Sequence, residues 1–496
     1  MRPLGIGVLL VTLLTAHARA QVHYHDDGQP WAQRAGGGPD AVVPGWFYNL
    51  GPTGLRVRLL ADAPCHLRVE YVFANTPAAG LLEPGDVITG AGGKAFTVPH
   101  QNGYGEAVFG PTGPILDFAR ALEQSQATKG SADELVVTRT RGGHSDDVTL
   151  RLPRQGSFAA NYPADCPRSA RIRDQLLDWL LTQQGEDGSW GGPPHDLFAP
   201  LALLARGKPA DLAAVRKNAH FQADRTRAVD DSLSLINWYY TTAGIVLAEF
   251  QLATGEAWVR PELDEIRTFL LSSQYTNEKQ IVRGTHDLPT ATRTAIGGFG
   301  HNPGHEGYGP IQMLTGMGAL AWALMRECGV DVDPARHRLA YDFLSRGMGK
   351  NGYVWYADEV ASDDGWADLG RTGAASIAFR MSPFADSDHA ERARRAAACI
   401  GAHPRSYPDT HGSPPMGMAF AALAAWHEPA AFRALMDDNR WWFTLAQCAD
   451  GTFHYQPNRD NAGYGEDSRL SVSAVTAFVF ALPLRTLRIS GRPRKG

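Results

Sequence analysis

The chain is 496 residues long, 44% hydrophobic and 20% charged, with a formal net charge of −5. Such a chain can bury more than one core, and it carries no basic excess to neutralise phosphates, which argues against a general nucleic-acid partner. The five scattered cysteines, Cys65, Cys166, Cys328, Cys399 and Cys448, exclude a disulfide-built scaffold, and at least one of them stays unpaired within the chain.

Residues 1–20 read as a secretory signal: Arg2, an apolar core from Leu4 to Leu14, and Ala18-Arg19-Ala20 as a small-residue cleavage site. The apolar core is shorter than the roughly 20 residues that span a bilayer. The expectation is a chain cleaved before Gln21, without stable membrane insertion, secreted or periplasmic. Loss of Arg2 and Arg19 would move the formal charge from −5 to −7. Residues 21–45 are rich in Gly, Pro, His and Asp without an apolar period, which fits a flexible lead-in.

From 46 to 155 the pattern is one of short strands: Leu55 to Leu60, His66 to Val72, Asp86 to Ile88, Leu135 to Arg141 and Asp147 to Leu152. The alternation Val57/Leu59 and Leu67/Val69 suits half-buried strands. One helix interrupts them, Pro114 to Gln124, with Ile115, Phe118, Ala119 and Leu122 on one face. The stretch Asn75-Thr76-Pro77-Ala78-Ala79-Gly80-Leu81-Leu82-Glu83-Pro84-Gly85-Asp86-Val87-Ile88, followed by Gly92-Gly93-Lys94, resembles a PDZ domain. The resemblance implies capture of a peptide or protein C-terminus by strand addition, in a groove between the strand His66 to Val72 and the helix, with Leu67, Val69, Tyr71, Phe118 and Leu122 as peptide-binding residues. The chain departs from the family at the carboxylate-binding loop: neither Ala61-Asp62-Ala63-Pro64-Cys65 nor Gly51-Pro52-Thr53-Gly54-Leu55 is a glycine-hydrophobic-glycine loop. A PDZ fold serving only as a packing or docking module is the alternative.

After a linker at 156–168 the period becomes helical and stays so to 485, leaving a basic tail at 486–496 that reads as a solvated end. Helices pair up: 169–184 with 195–206, 211–221 with 231–253, 260–274 with 306–327, 334–347 with 371–381, 387–402 with 415–427 and 430–447 with 468–484. First members keep a charged face and second members are apolar all round, so the second members belong inside. The connections echo one another, Gln184-Gly185-Glu186-Asp187-Gly188-Ser189-Trp190 against Gln447-Cys448-Ala449-Asp450-Gly451-Thr452-Phe453, with Asn351-Gly352-Tyr353 and Gly298-Phe299 as related versions. On these repeats the region resembles the terpenoid-cyclase and protein-prenyltransferase type of α/α toroid, which makes the whole a multidomain chain: a small, mainly-β PDZ-like domain plus an all-α (α/α)6 toroid. Signal, PDZ-like module and toroid together resemble a group of exported bacterial proteins of unassigned function.

That resemblance places a site at the N-termini of the inner helices. The superfamily's known chemistries do not transfer, because the toroid has no Asp-x-Asp-Asp, Asp-x-Cys, Cys-His or Cys-Gly-Glu-Gln. The stretch from Gly297 to Pro310 carries His301, His305, Glu306 and Tyr308 among glycines, and His411 precedes another inner helix. These five are the catalytic candidates, Glu306 or a histidine as general base with the other as acid and Tyr308 as a donor; imidazoles bonded to nearby backbone are the bland alternative. His195, Asp196, Asp230, Glu466 and Asp467 fall at the same end. Asp231, Trp355, Trp366 and Arg371 are substrate-binding candidates, although Asp231 also suits a helix N-cap and Arg371 a pair with Asp368 or Asp364. Trp238, Tyr239, Tyr240, Tyr356, Phe453, Tyr455 and Tyr464 could stack on sugar rings or fill the core. The sequence names no cofactor; zinc through His301, His305 and a third ligand such as His411 or Asp363 is weakened by the spacing falling in a Gly/Pro loop rather than on a helix. Two functions remain open, an exported binder of peptide or protein, and an extracytoplasmic hydrolase or lyase acting on a polysaccharide or peptide.

Overall fold

The computed structural model describes residues 25–26, 29–30, 47–60, 62–100, 112–127, 133–227, 235–277, 295–303, 309–408, 414–456 and 469–493. β1 (His25–Asp26) and β2 (Gln29–Pro30) form a minimal antiparallel pair. The following strands are β3 (Phe47–Asn49), β4 (Leu55–Leu59), β5 (Leu67–Val72), β6 (Val87–Ala91), β7 (Lys94–Ala95), β8 (Glu134–Arg141) and β9 (His144–Arg151). They make one antiparallel sheet in the order β3-β4-β5-β6-β8-β9, with β7 appended to β6. α1 (Pro114–Ala127) buries Ile115, Phe118, Ala119 and Leu122, the face that three-and-four spacing predicts.

The groove expected beside β5 is not open there. Over Leu67 to Val69, β5 is paired on both sides, Val57 opposite Val69 in β4 and Leu67 opposite Ile88 in β6. Leu67, Val69 and Phe118 have no exposed surface and Leu122 almost none, so all four are core. Tyr71 is half-buried, its ring 4.7 Å from that of Phe73. The physical reason is that strand alternation marks a face that must be covered without saying whether a free peptide or the chain's own helix covers it. The loop at Gly51–Thr53 is a buried 3-10 turn, also packed inside. β3, too short to show alternation, pairs with β4 on one side and on the other is tied to the helical region: the Asn49 amide donates to Gln456 Oε1 at 3.0 Å and Gln456 Nε2 donates to the Asn49 carbonyl at 3.1 Å. A side-chain amide here completes the sheet edge much as another strand would.

A second tie is Glu123 of α1. Its carboxylate accepts from the Phe158 amide at 2.6 Å, from Thr444 Oγ1 at 2.9 Å and from Arg168 Nη1 at 3.1 Å. Sheet, linker and toroid meet at that one carboxylate.

The helical region is a closed double ring. Outer helices are α2 (Pro167–Gln183), α4 (Pro209–Thr226), α6 (Val259–Ser273), α8 (Pro334–Arg346), α10 (His389–Ala402) and the pair α12 (Pro429–Asp438) and α13 (Arg440–Ala446). Inner helices are α3 (Pro193–Arg206), α5 (Ile236–Thr254), α7 (Gln312–Glu327), α9 (Leu369–Arg380), α11 (Pro414–Trp426) and α14 (Arg469–Ala481). Each inner helix packs on the next and α14 returns to α3. The sixth outer helix, read as continuous, breaks at Asn439, whose Nδ2 donates to the Pro404 carbonyl at 2.7 Å. Inner helices come close enough for backbone contact: a Cβ at Gly373 of α9 would sit inside contact distance of the Phe420 carbonyl of α11.

The echoing turns have one geometry. The amides of Gly185, Gly349 and Cys448 donate to the carbonyls of Ser189, Tyr353 and Thr452 at 2.8, 2.8 and 2.7 Å. Asp187, Asn351 and Asp450 each accept, through Oδ1, the amide two residues on at 3.0 Å. Gly188, Gly352 and Gly451 take φ of +101°, +92° and +90°, which only glycine adopts without strain. The glutamines stitch neighbours together: Gln184 Nε2 donates to Gly188 O and, at 2.8 Å, to Ala214 O of the next outer helix, and Gln274 Nε2 to Gly297 O and Arg336 O.

The opposite end is closed by the C-terminal segment, which is therefore not the solvated tail expected from its charge. Leu487, Ile489 and Ser490 are buried. The amides of Arg488 and Ile489 donate to the buried Glu249 carboxylate at 2.9 and 2.8 Å, Arg488 forks onto Glu327 at 2.6 and 2.9 Å, and His427 Nε2 bonds the Ile489 carbonyl at 2.7 Å. The basic residues are there to pair with inner-helix carboxylates, a partner that charge counting along the chain does not reveal.

Gly373→Ala is expected to lower stability by about 1–3 kcal/mol, since overpacking here pushes backbone on backbone; chemical denaturation checks it. Burial pushes the His427 imidazole down from 6.5 to about 4, with Arg380 and Arg485 adding to the shift. The ring stays neutral in the folded chain while it protonates in the unfolded chain, so its contribution is fully present above pH 6.5 and is lost as pH falls from 6.5 toward about 4. The melting temperature should therefore drop through that window, and less steeply in His427→Gln.

Candidate functional site

Four of the turns end by handing one amide to a polar side chain buried in an inner helix. Trp190 donates to Asp196 Oδ1 at 2.7 Å, Phe299 to Thr315 Oγ1 at 3.0 Å, Val354 to Thr372 Oγ1 at 3.0 Å and Phe453 to Ser473 Oγ at 2.9 Å. Asp196 also accepts from Ser189 Oγ and Asn218 Nδ2, which assigns it to this scaffold. Its carboxyl is pushed up by burial against the pull of those bonds. The result is that the inner helices begin at one common level and surround a cavity of about 490 Å³ at their N-termini.

Its wall is aromatic and apolar: Trp238 and Tyr239 from α5, Tyr356 from the loop before α9, Met313 from α7 and Met416 from α11, with Leu235 at the lip. Its polar groups are His301, Asp368 and Arg371. One turn further in, the barrel is filled, Phe198 standing 5.7 Å from Phe420 and 5.2 Å from Phe478. Tyr240, Phe453 and Tyr455 are core residues.

His301 is held by the glycine-rich stretch as a helix cap. Its carbonyl accepts the Asn237 amide at 3.1 Å and Asn302 Oδ1 accepts the Ile236 amide at 2.9 Å, so two first-turn amides of α5 are satisfied from this loop. Gly297, at φ +96°, lies against the Leu339 carbonyl where no side chain fits. α5 accordingly begins at Ile236 rather than at 231, with Leu235 and not Asp231 at its N-cap. The indole Nε1 of Trp238 donates to His301 Nδ1 at 3.0 Å. An indole can only donate, so Nδ1 must be unprotonated and the neutral ring carries its proton on Nε2. His301 is thereby a donor and not the general base.

Arg371 is largely buried and held by three partners. Nε donates to the Val354 carbonyl at 2.9 Å, Nη2 to the Tyr353 hydroxyl at 2.7 Å, and Nη1 pairs with Asp368. Burial pulls its pKa down, Asp368, Tyr353 and Tyr356 push it up, and the net direction is up.

The structure thus brings Arg371 and His301 to one cavity. Trp355 and Trp366 are not among the lining residues: Trp355 Nε1 bonds the Ser362 carbonyl at 3.1 Å, and the Trp366 ring leans on His403. His195 is half-buried and also absent from the lining. Asp231, His305, Glu306, Tyr308 and His411, with Asp230, Tyr464, Glu466 and Asp467, lie outside the described residues. Asp363 pairs with Lys350 at 2.7 Å, and among the described residues no group of three His, Cys, Asp or Glu is placed to hold a metal ion. Asp368 is a partner read for Arg371 from sequence, whereas Met313 and Met416 carry no sequence signal beyond a position inside an inner helix; that position is what could have found them.

Residues 169–491, well over half of the chain, match the family described as Domain of unknown function (DUF6288). The chain belongs to the DUF6288 family. Its match runs through Leu487 to Ser490, so the segment closing the far end of the barrel is part of the DUF6288 unit. No curated protein matches the chain in sequence. Among solved structures, an inactive variant of an α-1,6-mannanase of Salegentibacter sp. HEL1_6, in complex with α-1,6-mannotriose, is 10% identical with a TM-score of 0.48, over 64% of this chain and 99% of that one. The type II terpene cyclase MstE from Scytonema is 13% identical with a TM-score of 0.40, and a protein from Actinoplanes 17% identical with 0.39, each over 64% of this chain and 99% of the other. Likenesses of this degree carry no residue role, substrate or reaction to the DUF6288 chain.

Trp238→Phe removes the indole N–H that His301 Nδ1 accepts. Long-range nitrogen–proton NMR of the imidazole should show protonation on Nε2 alone in the wild type at neutral pH and a mixture of tautomers in the variant.

Proposed function

We propose that the protein is an exported glycan-active enzyme whose site is the toroid mouth. The observation that supports it best is the single cavity at the inner-helix N-termini, walled by Trp238, Tyr239 and Tyr356 and furnished with an oriented donor, His301, beside the Arg371–Asp368 pair. Flat aromatic faces suit the apolar faces of pyranose rings, and a few fixed polar groups suit their hydroxyls. Five inner helices contribute their first turns to the same wall, a field that favours an acidic side chain or an anionic transition state near it. In this reading His301 is a hydrogen-bond donor to the substrate, and Glu306, five residues along the same connection, is the general base; Tyr308, His411 and Asp231 are assigned to the same mouth from their sequence positions. Residues 1–20 supply the export signal, and among the described residues no helix is long and apolar enough to cross a membrane.

Peptide capture at β5 lacks an unpaired edge along Leu67 to Val69, and the sheet domain serves in this reading as a fixed buttress of the toroid. The test is release of reducing ends, and binding by calorimetry, across oligosaccharides of α-1,6-mannan, β-1,4-glucan, β-1,4-xylan and chitin. At least one should be bound and cleaved by the wild type. Trp238→Ala should weaken binding about tenfold or more through lost stacking, and Glu306→Gln should keep binding while lowering turnover by about 10²-fold or more. No binding to any of them by folded wild-type protein overturns the reading; cleavage unchanged in Glu306→Gln overturns the assignment of the base.

A further inference from the structure

Asp368 occupies the N-cap position of α9, where an aspartate ordinarily turns its carboxylate back onto the first helical amides. It makes no such bond. Its φ is +58°, in the left-handed region that a residue with a Cβ holds only when its surroundings impose it. The carboxylate instead lies in the cavity wall, almost wholly buried, with one oxygen on Arg371 Nη1. Leu235, at the N-cap of α5 across the same cavity, has the same left-handed backbone at φ +64°.

The guanidinium beside it has five N–H groups. Three are engaged, by the Val354 carbonyl, the Tyr353 hydroxyl and Asp368. Among the described residues the other two have no bond, and neither has the second oxygen of Asp368, although both side chains line the cavity. The mouth therefore presents an acceptor and a donor side by side, fixed to each other and to the scaffold. The opposite charges cancel, so the pair does not select an anion. It selects two adjacent groups of which one donates and one accepts.

We infer that Asp368 and Arg371 together recognise a vicinal diol of the bound glycan, the carboxylate accepting from one hydroxyl while the guanidinium donates to its neighbour, with Asp368 the specificity-determining residue. This rests on the glycan reading of the mouth. A single good charge-assisted hydrogen bond of this kind is worth about ten- to hundredfold in affinity.

The probes are the oligosaccharides of α-1,6-mannan, β-1,4-glucan and β-1,4-xylan, each also as its periodate-cleaved and borohydride-reduced form, and chitin oligosaccharides, whose internal units have no vicinal diol. The wild type should bind one of the first three and its cleaved form, as well as chitin, at least about tenfold more weakly. Asp368→Asn should bind the intact glycan about ten- to hundredfold more weakly and the cleaved glycan no more weakly than the wild type does. Asp368→Glu, which keeps the charge beside Arg371 and displaces the carboxylate, should show the same selective loss and serves if Asp368→Asn does not fold. Equal wild-type affinity for intact and cleaved glycan, or for chitin, overturns the inference while leaving the glycan reading standing. Wild-type affinity in a folded Asp368 variant does the same, and failure of every probe to bind overturns both.

Discussion

The structure depends on one repeated hydrogen bond, the amide that leaves each turn and is accepted by a buried polar side chain near the start of the inner helix. Asp196, Thr315, Thr372 and Ser473 are four versions of the same acceptor. Each is inaccessible to water, so breaking the bond would leave a buried amide without a partner, which is far more costly than the modest net gain of making it. The bond fixes the height at which α3, α7, α9 and α14 begin, and the caps from His301 and Asn302 do the same for α5. A common height brings the first turns together as one wall around the cavity at the mouth.

The same constraint explains what the two ends of the barrel are for. At the turn end, backbone in left-handed conformations at Leu235 and Asp368 is held in place by the ring around it. At the far end the chain's last described residues seal the barrel onto Glu249, Glu327 and His427. Between them the core is solid, with Phe198, Phe420 and Phe478 in contact. The sheet domain adds rigidity from the side through Glu123, whose loss would strand the buried Arg168.

The ring itself could be read from residues. Inner helices such as α5 and α11 are apolar on every side, and Gln184 to Trp190 repeats at Gln447 to Phe453, so pairing, order and the position of the mouth followed. The Gly297 to Pro310 stretch drew attention through its histidines, and the described part proves to be a cap for α5 as well as a bearer of His301. What sequence alone misjudged are contacts between distant residues. β5 looks like a peptide-facing strand until β4 and β6 are seen on both its edges. Arg488 looks solvated until Glu327 is found 161 positions away in the chain. The pairing of Arg371 with Asp368 is legible in the sequence, but the left-handed backbone at Asp368 is not, because a residue's letter does not report its φ.

Hydroxyl-radical footprinting with and without a bound oligosaccharide tests the central claim most directly, since the mouth is lined by the reactive side chains Trp238, Tyr356, Met313 and Met416. The account predicts that Trp238, Tyr356 and Met313, which keep exposed surface, are protected on binding while Trp441, in the cleft between α1 and α13, is unchanged. Protection at Trp441 with the mouth residues unaffected would contradict it.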